Sequence, residues 1–406
     1  MGQWIQQTTL GWVVYDLTGS GSLLGAVNSL RTMTPFFVSP AAGLATDRFS
    51  RNRIIGISQF TLFLNTFIVA LALQFHVATI WNLFLFTLVI GLANGFNMPA
   101  RSTMVFDVVP RFAIPNAVAL SNMVNGAMRT IGPGIAGLLI VSFGAANNFF
   151  LQSVMYLGVL ATVWALRLPP RPSTVPRRPS FRDMTEGYRF VAGNPQARLL
   201  LLMGMLPGLF LIPTHMVILP IYAKDIFEAG SSGAGAGAAS LGIMVSSIGF
   251  GGFLGALLTA SLNRVDRRGL LQLAALFVYS VSHVAYAILG VVTADVHVAA
   301  FCLVFAGAAE SVYGATNQTV LQLMAPNEMR GRIVAALQIQ PLCLGLGGLM
   351  AGAASDQFGA TETSLFISFV ALAICVTIFT TSSRMRDLRI SQLGPEAVPA
   401  RGGPRA

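Results

Sequence analysis

Charged side chains are scarce in this chain. Only 10% of its 406 residues are Asp, Glu, Lys or Arg, whereas 54% are hydrophobic. A soluble globular protein carries roughly 25% charged residues, so this composition excludes an ordinary soluble domain. Apolar runs of about 20 residues recur along almost the whole length, and each is long enough to cross the hydrocarbon core of a bilayer. The sequence therefore predicts a membrane protein with many crossings.

Cysteine and histidine are also rare, which excludes several kinds of site. The three cysteines, Cys302, Cys343 and Cys375, lie in predicted spans, and the chain has four histidines. No paired Cys/His spacing is present, so neither a disulfide framework nor a metal site is predicted. The sequence also lacks a nucleophile–base set and a Gly-x4-Gly-Lys-Ser/Thr phosphate loop, and so predicts neither an enzyme nor an ATP-driven pump.

Backbone hydrogen bonding decides the fold class. In a bilayer only helices or a closed barrel satisfy every backbone N–H and C=O group. Barrel strands would alternate in polarity, but the stretches 54–73 and 364–381 are continuously apolar. We therefore predict an all-α membrane protein with twelve transmembrane helices. The predicted spans are residues 1–15, 22–46, 54–75, 80–105, 116–142, 147–166, 198–223, 239–262, 270–293, 296–322, 333–357 and 361–382.

Positive charge is distributed unevenly between these spans. The chain has a net charge of +10, and all of its Lys and Arg residues except Lys224, Arg31 and Arg129 lie in alternate loops and the C-terminal tail. Such asymmetry is the pattern of the positive-inside rule, which places the Arg-rich loops and the C-terminus in the cytoplasm. The positive charge thus indicates topology and gives no reason to expect a nucleic-acid partner.

An internal repeat divides the predicted spans into two bundles of six. A shift of 216 residues superposes landmarks in the second, fourth and fifth spans on landmarks in the eighth, tenth and eleventh. The Phe-Gly-Ala at 143–145 also recurs at 358–360. We predict an N-terminal bundle at 1–167, a cytoplasmic linker at 168–197, a C-terminal bundle at 198–383 and a basic cytoplasmic tail at 384–406. The superposed pairs are Gly91 and Gly307, Ala93 and Ala309, Pro110 and Pro326, Val118 and Val334, and Gly132 and Gly348.

The first span is short. Its 15 residues would make a helix of about 22 Å, less than the thickness of the hydrocarbon core. By the repeat, the equivalent of Leu199 would lie before Met1. We expect that the first part of this helix is missing from the sequence; the alternative is a helix that is naturally short or tilted.

The loop after the second span contains Gly43, Asp47, Arg48 and Arg51 in the order Gly-Leu-Ala-Thr-Asp-Arg-Phe-Ser-Arg. This order resembles the signature between the second and third helices of the major facilitator superfamily. The resemblance implies a cluster that latches the cytoplasmic gate, with Asp107 as its partner. The alternative is that these residues are ordinary positive-inside anchors. The second half has Asn263 where the first has Asp47, so only one strong latch is expected.

A second motif lies in the fifth span. Gly132-Pro133-Gly134-Ile135-Ala136-Gly137 resembles the Gly-Pro motif of proton-antiporting exporters of the same superfamily, with Ala136 in place of a glycine. Glycines permit close helix packing and proline permits a bend. The resemblance favours export over import.

Further segments resemble one branch of exporters, that of the enterobactin exporter and the transmembrane secretion effectors. This resemblance implies a monomeric multi-pass transporter in a prokaryotic inner membrane. It also implies that the proton gradient supplies the energy and that no cofactor is bound. The segments are Gly2-x-Trp4-x-Gln6-Gln7, Tyr15 to Ser20, Asn97-x-Pro99-Ala100-Arg101 and Pro326-x-Glu328-x-Arg330-Gly331-Arg332.

Three charged residues are predicted at mid-membrane depth: Arg31, Arg129 and Glu310. Buried charges are costly and are functional candidates by default. Helical spacing places both Arg129 and Glu310 on faces with small and polar residues, away from lipid. Glu310 is a candidate proton-coupling carboxylate, or else it forms a structural ion pair with Arg129 or Arg31. His283 has no polar neighbours on its face and is interpreted as a packing residue.

Amide side chains on the remaining inner helices predict the character of the ligand. Asn94, Asn97 and Asn317 are expected to line a cavity together with Phe and Met side chains. Such a lining suits an amphipathic small molecule better than a simple ion. The sequence thus predicts proton-coupled efflux of a drug, siderophore or metabolite. The alternatives are an importer of a small solute and a membrane interaction protein without transport.

Overall fold

The computed structural model describes residues 2–165, 189, 193–229, 235–262, 265–324, 339–389 and 391, and in these ranges the chain is helical without any strand. The predicted all-α class is confirmed. The helices in chain order are α1 (Gly2–Thr18), α2 (Gly21–Arg48), α3 (Arg51–Gln74), α4 (Ile80–Val108), α5 (Ile114–Ala165), α6 (Pro195–Glu228), α7 (Ala236–Ser261), α8 (Arg268–Thr293), α9 (Val296–Met324), α10 (Gln340–Phe358), α11 (Ala360–Thr381) and α12 (Ser383–Arg386).

The helices differ in length and apolar character, but together they make the twelve predicted membrane crossings. Eight helical stretches of the described chain are long and apolar enough to cross a membrane. One of these stretches, Met123–Ala165, reverses at Gly144 and therefore crosses twice. The shorter or less apolar helices α1, α2 and α10 complete the set. The predicted arrangement of six plus six is confirmed, and the predicted linker 168–197 lies outside the described residues up to 192 except for 189.

The two halves turn between their fifth and sixth crossings in the same way. Gly144 has φ 82° and ψ 164°, and Gly359 has φ 92° and ψ 154°. Backbone of this kind is essentially restricted to glycine. Both glycines belong to the Phe-Gly-Ala repeat seen in the sequence. The repeat therefore specifies the backbone of the turn as well as the number of helices.

Two helix pairs bring the halves together: α5 packs along α7, and α2 packs along α10. On the second pair, Gly25 lies against Gly348 and Gly352. A Cβ atom at Gly25 or Gly352 would overlap the backbone of the facing helix. Small residues of this kind let membrane helices approach closely. The halves are therefore joined along two tightly packed seams.

The helix bundle has two ends, which we name by their charge. The Arg-rich face carries the connections 49–50 and 109–113, and the helix ends at Ala165, Pro195, Ser261 and Arg268. The opposite face carries the connections 19–20, 75–79 and 294–295, the helix ends at Glu228 and Ala236, and the turns at Gly144 and Gly359. Successive crossings alternate between these two faces.

Candidate functional site

An ion pair joins the two halves inside the bundle. The Arg129 guanidinium of α5 donates from Nη2 to both carboxylate oxygens of Glu310 on α9, at 2.8 and 3.0 Å. The Arg129 side chain is 35% exposed and that of Glu310 is 16% exposed. Arg129 lies about 22 Å along its helix from the turn at Gly144, close to the middle of the span. The sequence predicted both residues as buried candidates, and the structure brings them into direct contact.

Glycines of α7 make this contact possible. Gly249 lies against the α5 backbone, where an added Cβ would come within 2.5 Å of the Arg129 carbonyl oxygen. On the other side of α7, Gly251 and Gly255 lie equally close to the backbone of α9. The helix α7 is thus a thin spacer between α5 and α9. Because the spacer is thin, Arg129 and Glu310 can meet although they belong to different halves.

Two histidines extend the ion pair into the second half. Nε2 of His215 on α6 lies 2.9 Å from Nε2 of His283 on α8. The other nitrogen of His215, Nδ1, lies 4.0 Å from Oε2 of Glu310. The interpretation of His283 as a packing residue without polar neighbours was therefore wrong. Its polar partner lies on another helix, which a single-helix face analysis does not detect.

Helix α6 is irregular where it carries His215. It contains π-helical segments at Pro207–Leu211, Thr214–Ile218 and Ala223–Glu228. Single π turns inside helices are often found at functional sites, because they redirect side chains. Sequence reasoning missed His215. This histidine lies two residues after Pro213 in an apolar span, and an ionisable residue within a membrane span is a candidate for a functional site.

Among the described residues, open space lies beside the ion pair on the side of the Arg-rich face. Gly126 lies one turn from Arg129 in that direction, and Gly314 lies one turn from Glu310. A Cβ atom added to either glycine would meet no atom within 4 Å. Both glycines share a helix face with the charge of their own helix. We infer a cavity at this point, with the ion pair at its inner end.

The first half contributes a polar group of its own near the middle of the bundle. The hydroxyl of Tyr156 donates to Oε1 of Gln6 at 3.3 Å, and Nε2 of Gln6 lies 3.5 Å from Oγ1 of Thr66. Arg31 lies near Tyr156. Its buried Nε has no hydrogen-bond partner among the described residues. Arg31 thus differs from Arg129, whose charge is matched by a carboxylate.

The predicted amide residues are not equivalent. Nδ2 of Asn317 donates to the carbonyl oxygen of Leu200 at 2.9 Å, and the hydroxyl of its neighbour Tyr313 donates to that of Met203 at 2.6 Å. These residues bind α9 to α6 within the second half. Asn97 is buried and Asn94 is half-buried. Asn317 therefore faces the packed interior, in contrast to the prediction that it lines the cavity.

At the opposite face the halves are tied together by Asp356 of α10. Its carboxylate accepts hydrogen bonds from Oγ of Ser20 at 2.8 Å and from the backbone N–H groups of Gly21 at 2.5 Å and Ser22 at 2.9 Å. These donors form the N-terminus of α2, where backbone N–H groups lack helical partners. An acid of one half thus caps a helix of the other.

A second set of ties lies between α1 and α6 at the same face. The Tyr15 hydroxyl donates to Oδ2 of Asp225 at 2.6 Å. Lys224 forms an ion pair with Asp16, and its ammonium group lies 5.6 Å from the centroid of the Trp12 ring. All of these contacts cross between the halves. These contacts hold the two halves together at the opposite face.

The family of the chain follows from its similarity to known proteins. A family model for transmembrane secretion effectors matches residues 1–398. The chain belongs to the transmembrane secretion effector family. It is a transporter of the major facilitator type, which confirms the resemblance drawn from the sequence motifs.

Curated relatives of this transporter cover most of its length. It is 22% identical over 398 residues to the staphyloferrin A transporter of Staphylococcus aureus, covering 97% of this chain and 95% of that protein. It is 27% identical to the multidrug efflux pump Tap of Mycolicibacterium fortuitum, covering 95% and 94%. It is 25% identical to the enterobactin exporter EntS of Shigella boydii, covering 84% and 82%. The homologues thus include efflux pumps and siderophore transporters.

A solved structure of similar fold is that of a bacterial homologue of the human lysosomal transporter Spinster, in an inward-facing and unoccupied conformation. The superposition has a TM-score of 0.73 with 17% sequence identity, and it covers 95% of this chain and 94% of the other. At this identity the similarity concerns the fold alone. It agrees with the helical arrangement described above.

The structure describes the Gly-Pro motif more fully than the gate cluster. In the Gly-Pro motif, an added Cβ at Gly137 would meet the backbone of Gly242 on α7 at 3.0 Å, and Gly132 and Pro133 are buried. This motif therefore forms part of the seam between the halves. In the gate cluster, only Arg51 has a described side chain, and it is half-buried. The side chains of Gly43, Asp47, Arg48 and Asp107 lie outside the described residues.

Proposed function

We propose that this transporter is a proton-coupled exporter of amphipathic small molecules that works by alternating access. The observation that carries the proposal is the Arg129–Glu310 ion pair, which joins the halves deep in the bundle. Charges at this depth are costly and usually mark an ion or substrate pathway. A proton on Glu310 would remove the attraction that holds Arg129, so proton binding and contact between the halves are linked.

The Arg-rich face is assigned to the cytoplasm in this proposal, because the positive-inside rule applies to its short loops. The structure is then closed on the outside, by Asp356 and the ties between α1 and α6, and open on the inside. The C-terminus is cytoplasmic in this orientation.

The ion pair gives the order of events. With Glu310 ionised and bound to Arg129, the inward-open transporter has released its proton and can accept substrate from the cytoplasm. Rocking of the two halves then breaks the outer ties and exposes the pocket to the outside, as in other transporters built from repeats. A proton from outside displaces Arg129 from Glu310, and the cycle returns. Proton entry down the gradient is thus exchanged for the exit of substrate.

Arg31 supports a substrate with an anionic group. A buried guanidinium is stable only when its charge and N–H groups find partners, and Nε of Arg31 has none among the described residues. A carboxylate or phenolate of the substrate would supply the missing acceptor through charge-assisted hydrogen bonds. Tyr156, which interacts electrostatically with Arg31, would supply an aromatic ring for apolar contact. We propose an anionic head and an apolar body for the ligand.

The test of coupling is transport into everted membrane vesicles with an imposed pH gradient, using ethidium and a panel of carboxylate and catecholate siderophores. For Glu310→Gln we expect loss of gradient-driven accumulation with substrate exchange retained. Glu362→Gln is the matched control, because Glu362 is an exposed acid in the first turn of α11. Normal proton-driven accumulation by Glu310→Gln would overturn the coupling role. Accumulation only in right-side-out vesicles would overturn export.

The substrate proposal has its own test. Arg31→Gln should weaken binding of anionic members of the panel by about 10–100-fold, since a hydrogen bond to a charged group contributes roughly 1.5–3 kcal/mol. Ethidium, which has no anionic group, should bind as before. Arg31→Lys, which keeps the charge, should retain part of the affinity for anions. An equal loss for all compounds would show that Arg31 serves only the structure.

A further inference from the structure

His215 and His283 form a buried pair of titratable rings, here called the dyad. The mechanism proposed above gives this pair no role. The His283 side chain is fully buried, and that of His215 is 9% exposed. The two rings lie nearly parallel, with their centroids 5.0 Å apart. Their Nε2 atoms are within hydrogen-bond distance at 2.9 Å. One Nε2 must donate and the other must accept, so two fully protonated rings cannot form this bond.

The remaining contacts fix the positions of the protons. Nδ1 of His283 lies 3.0 Å from the Tyr279 carbonyl oxygen, which only accepts, so this nitrogen carries a hydrogen. In the neutral ring Nε2 of His283 is then the acceptor, and the bridging hydrogen belongs to Nε2 of His215. Nδ1 of His215 is consequently left without a hydrogen. It is this bare nitrogen that lies 4.0 Å from Oε2 of Glu310.

We propose that the dyad is a second proton-binding site of the transporter, and that the proton binds at Nδ1 of His215. The proposal rests on the proton-coupled function given above. Binding forms one N–H bond, leaves the bridging hydrogen in place and changes the charge of the dyad from zero to plus one. The new N–H lies on the nitrogen that is 4.0 Å from Oε2 of Glu310. The same oxygen accepts from Nη2 of Arg129 at 3.0 Å.

Glu310 is thereby shared between two cations on different halves. Arg129 holds it from the first half, and protonated His215 would hold it from the second. A proton on His215 satisfies the carboxylate within its own half and weakens the tie that crosses the interface. An incoming proton that binds to the dyad would therefore weaken the contact between the halves before Glu310 itself is protonated.

The groups around the dyad restrict what can stabilise this proton. Glu310 is the one carboxylate within 4.0 Å of either ring among the described residues. The ring centroid of Tyr279 lies 4.9 Å from that of His283 and 6.2 Å from that of His215. The ring centroid of Tyr286 lies 6.3 Å from that of His283. Arg129, which donates to both carboxylate oxygens of Glu310, opposes the added charge. Proton binding at His215 thus depends directly on the charge of Glu310.

The first experiment observes the shared hydrogen without any substrate. The chain has four histidines, so the imidazole signals of detergent-solubilised protein labelled with 15N-histidine are few enough to assign. We expect a nitrogen–nitrogen coupling across the hydrogen bond between the two Nε2 atoms, and its loss in His283→Asn. The controls His76→Asn and His297→Asn, on the opposite face, should remove only their own signals. Absence of the coupling in the unaltered protein would overturn the dyad.

The second experiment counts protons. Proton uptake by purified protein between about pH 8 and about pH 5, the range in which imidazole changes charge, is measured with a pH-sensitive dye. His215→Asn should take up about one proton fewer than the unaltered protein. In this variant, ethidium or siderophore accumulation driven by the pH gradient should fall by about 5–150-fold, with gradient-independent exchange unchanged. His297→Asn, which loses only the proton of an exposed ring, should keep the pH dependence of transport.

The outcomes separate the two proposals. If His215→Asn takes up as many protons as the unaltered protein and keeps the pH profile of transport, the dyad proposal is wrong even if Glu310→Gln is uncoupled. If Glu310→Gln transports normally while the proton count still falls in His215→Asn, the proposed function fails and the dyad remains a proton site. Should His215→Asn not fold, His215→Gln provides the same comparison.

Discussion

The two halves of the transporter share a fold but differ in their buried charges. At mid-span the described first half holds two cations, Arg31 and Arg129, whereas the second holds the proton-binding side chains His215, His283 and Glu310. The turns at residues 144 and 359 show that the backbone is nearly the same. Duplication thus accounts for the scaffold, and the division of charge explains why coupling has to cross the interface between the halves.

Among the variants considered, removal of Arg129, the residue of the first half that pairs with Glu310, should have the largest effect on stability. Arg129→Gln leaves Glu310 as an unpaired buried carboxylate, which costs about 3–5 kcal/mol when a buried pair is broken. The cost should lie at the lower end, because the Arg129 side chain is 35% exposed. The double variant Arg129→Gln, Glu310→Gln should regain most of the stability. Thermal unfolding in detergent gives both values, and equal melting temperatures for the single variant and the unaltered protein would contradict the pairing.

The spacer between the halves should be the next most sensitive feature. Gly249→Ala places a Cβ 2.5 Å from the Arg129 carbonyl oxygen and forces α5 away from α7. Overpacking of this kind costs about 1–3 kcal/mol, and transport should fall because Arg129 and Glu310 separate. In Gly252→Ala, the matched control, the nearest atom is 3.8 Å away. If both variants transported equally well, close packing of α7 would have no role in positioning the pair.

The two repeat turns offer a direct comparison of the halves. Gly144→Ala and Gly359→Ala both place an alanine in glycine-only backbone, at a cost of about 1–3 kcal/mol each. The loss should be greater at 359, because the new Cβ would also overlap the Glu362 carboxylate, whereas nothing lies within 4 Å at 144. Gly158→Ala, in open space within a helix, is the control. Melting temperatures in the reverse order would contradict the matching conformations.

Of the contacts tested, the one between Asp356 and the N-terminus of α2 should have the smallest effect on stability. It should have a clear effect on conformation. Asp356→Ala removes the cap of α2 that comes from the other half, at a cost of about 0.5–2 kcal/mol, and should favour the outward-open state. Asp295→Ala is a matched control on the same face, because Asp295 caps only its own helix through the N–H of His297. The measurement is cross-linking of cysteines placed on α2 and α10. No difference between the two variants would show that Asp356 does not hold the gate.

Much of the fold could be predicted from the sequence because membrane spans obey strong local rules. Apolar length, loop charge and the 216-residue repeat predicted twelve helices in two halves. The same reasoning placed Arg129 and Glu310 away from lipid, in agreement with the exposure of Ile131 and Phe301 on the other faces of their helices. Val312, which helical spacing places on the same side of α9 as Phe301, is instead buried.

The site was less predictable because its contacts depend on three dimensions. His215 and His283 are 68 residues apart in the chain and meet at a point where α6 departs from regular helical geometry. Asn317 has the same helical face as Glu310 but binds the Leu200 carbonyl, since the face of α9 is divided between α6 and the cavity. Periodicity on one helix does not indicate which neighbour covers it.

The central claim is that the Arg129–Glu310 contact couples proton movement to transport and is more than a structural ion pair. Exchange of the two charges, in the double variant Arg129→Glu, Glu310→Arg, tests it most directly. The exchanged pair can still form across the halves, but its carboxylate then lies on α5, away from His215. We predict recovered thermal stability and substrate exchange without gradient-driven accumulation in everted vesicles. Full proton-driven accumulation by the exchanged variant would contradict the account.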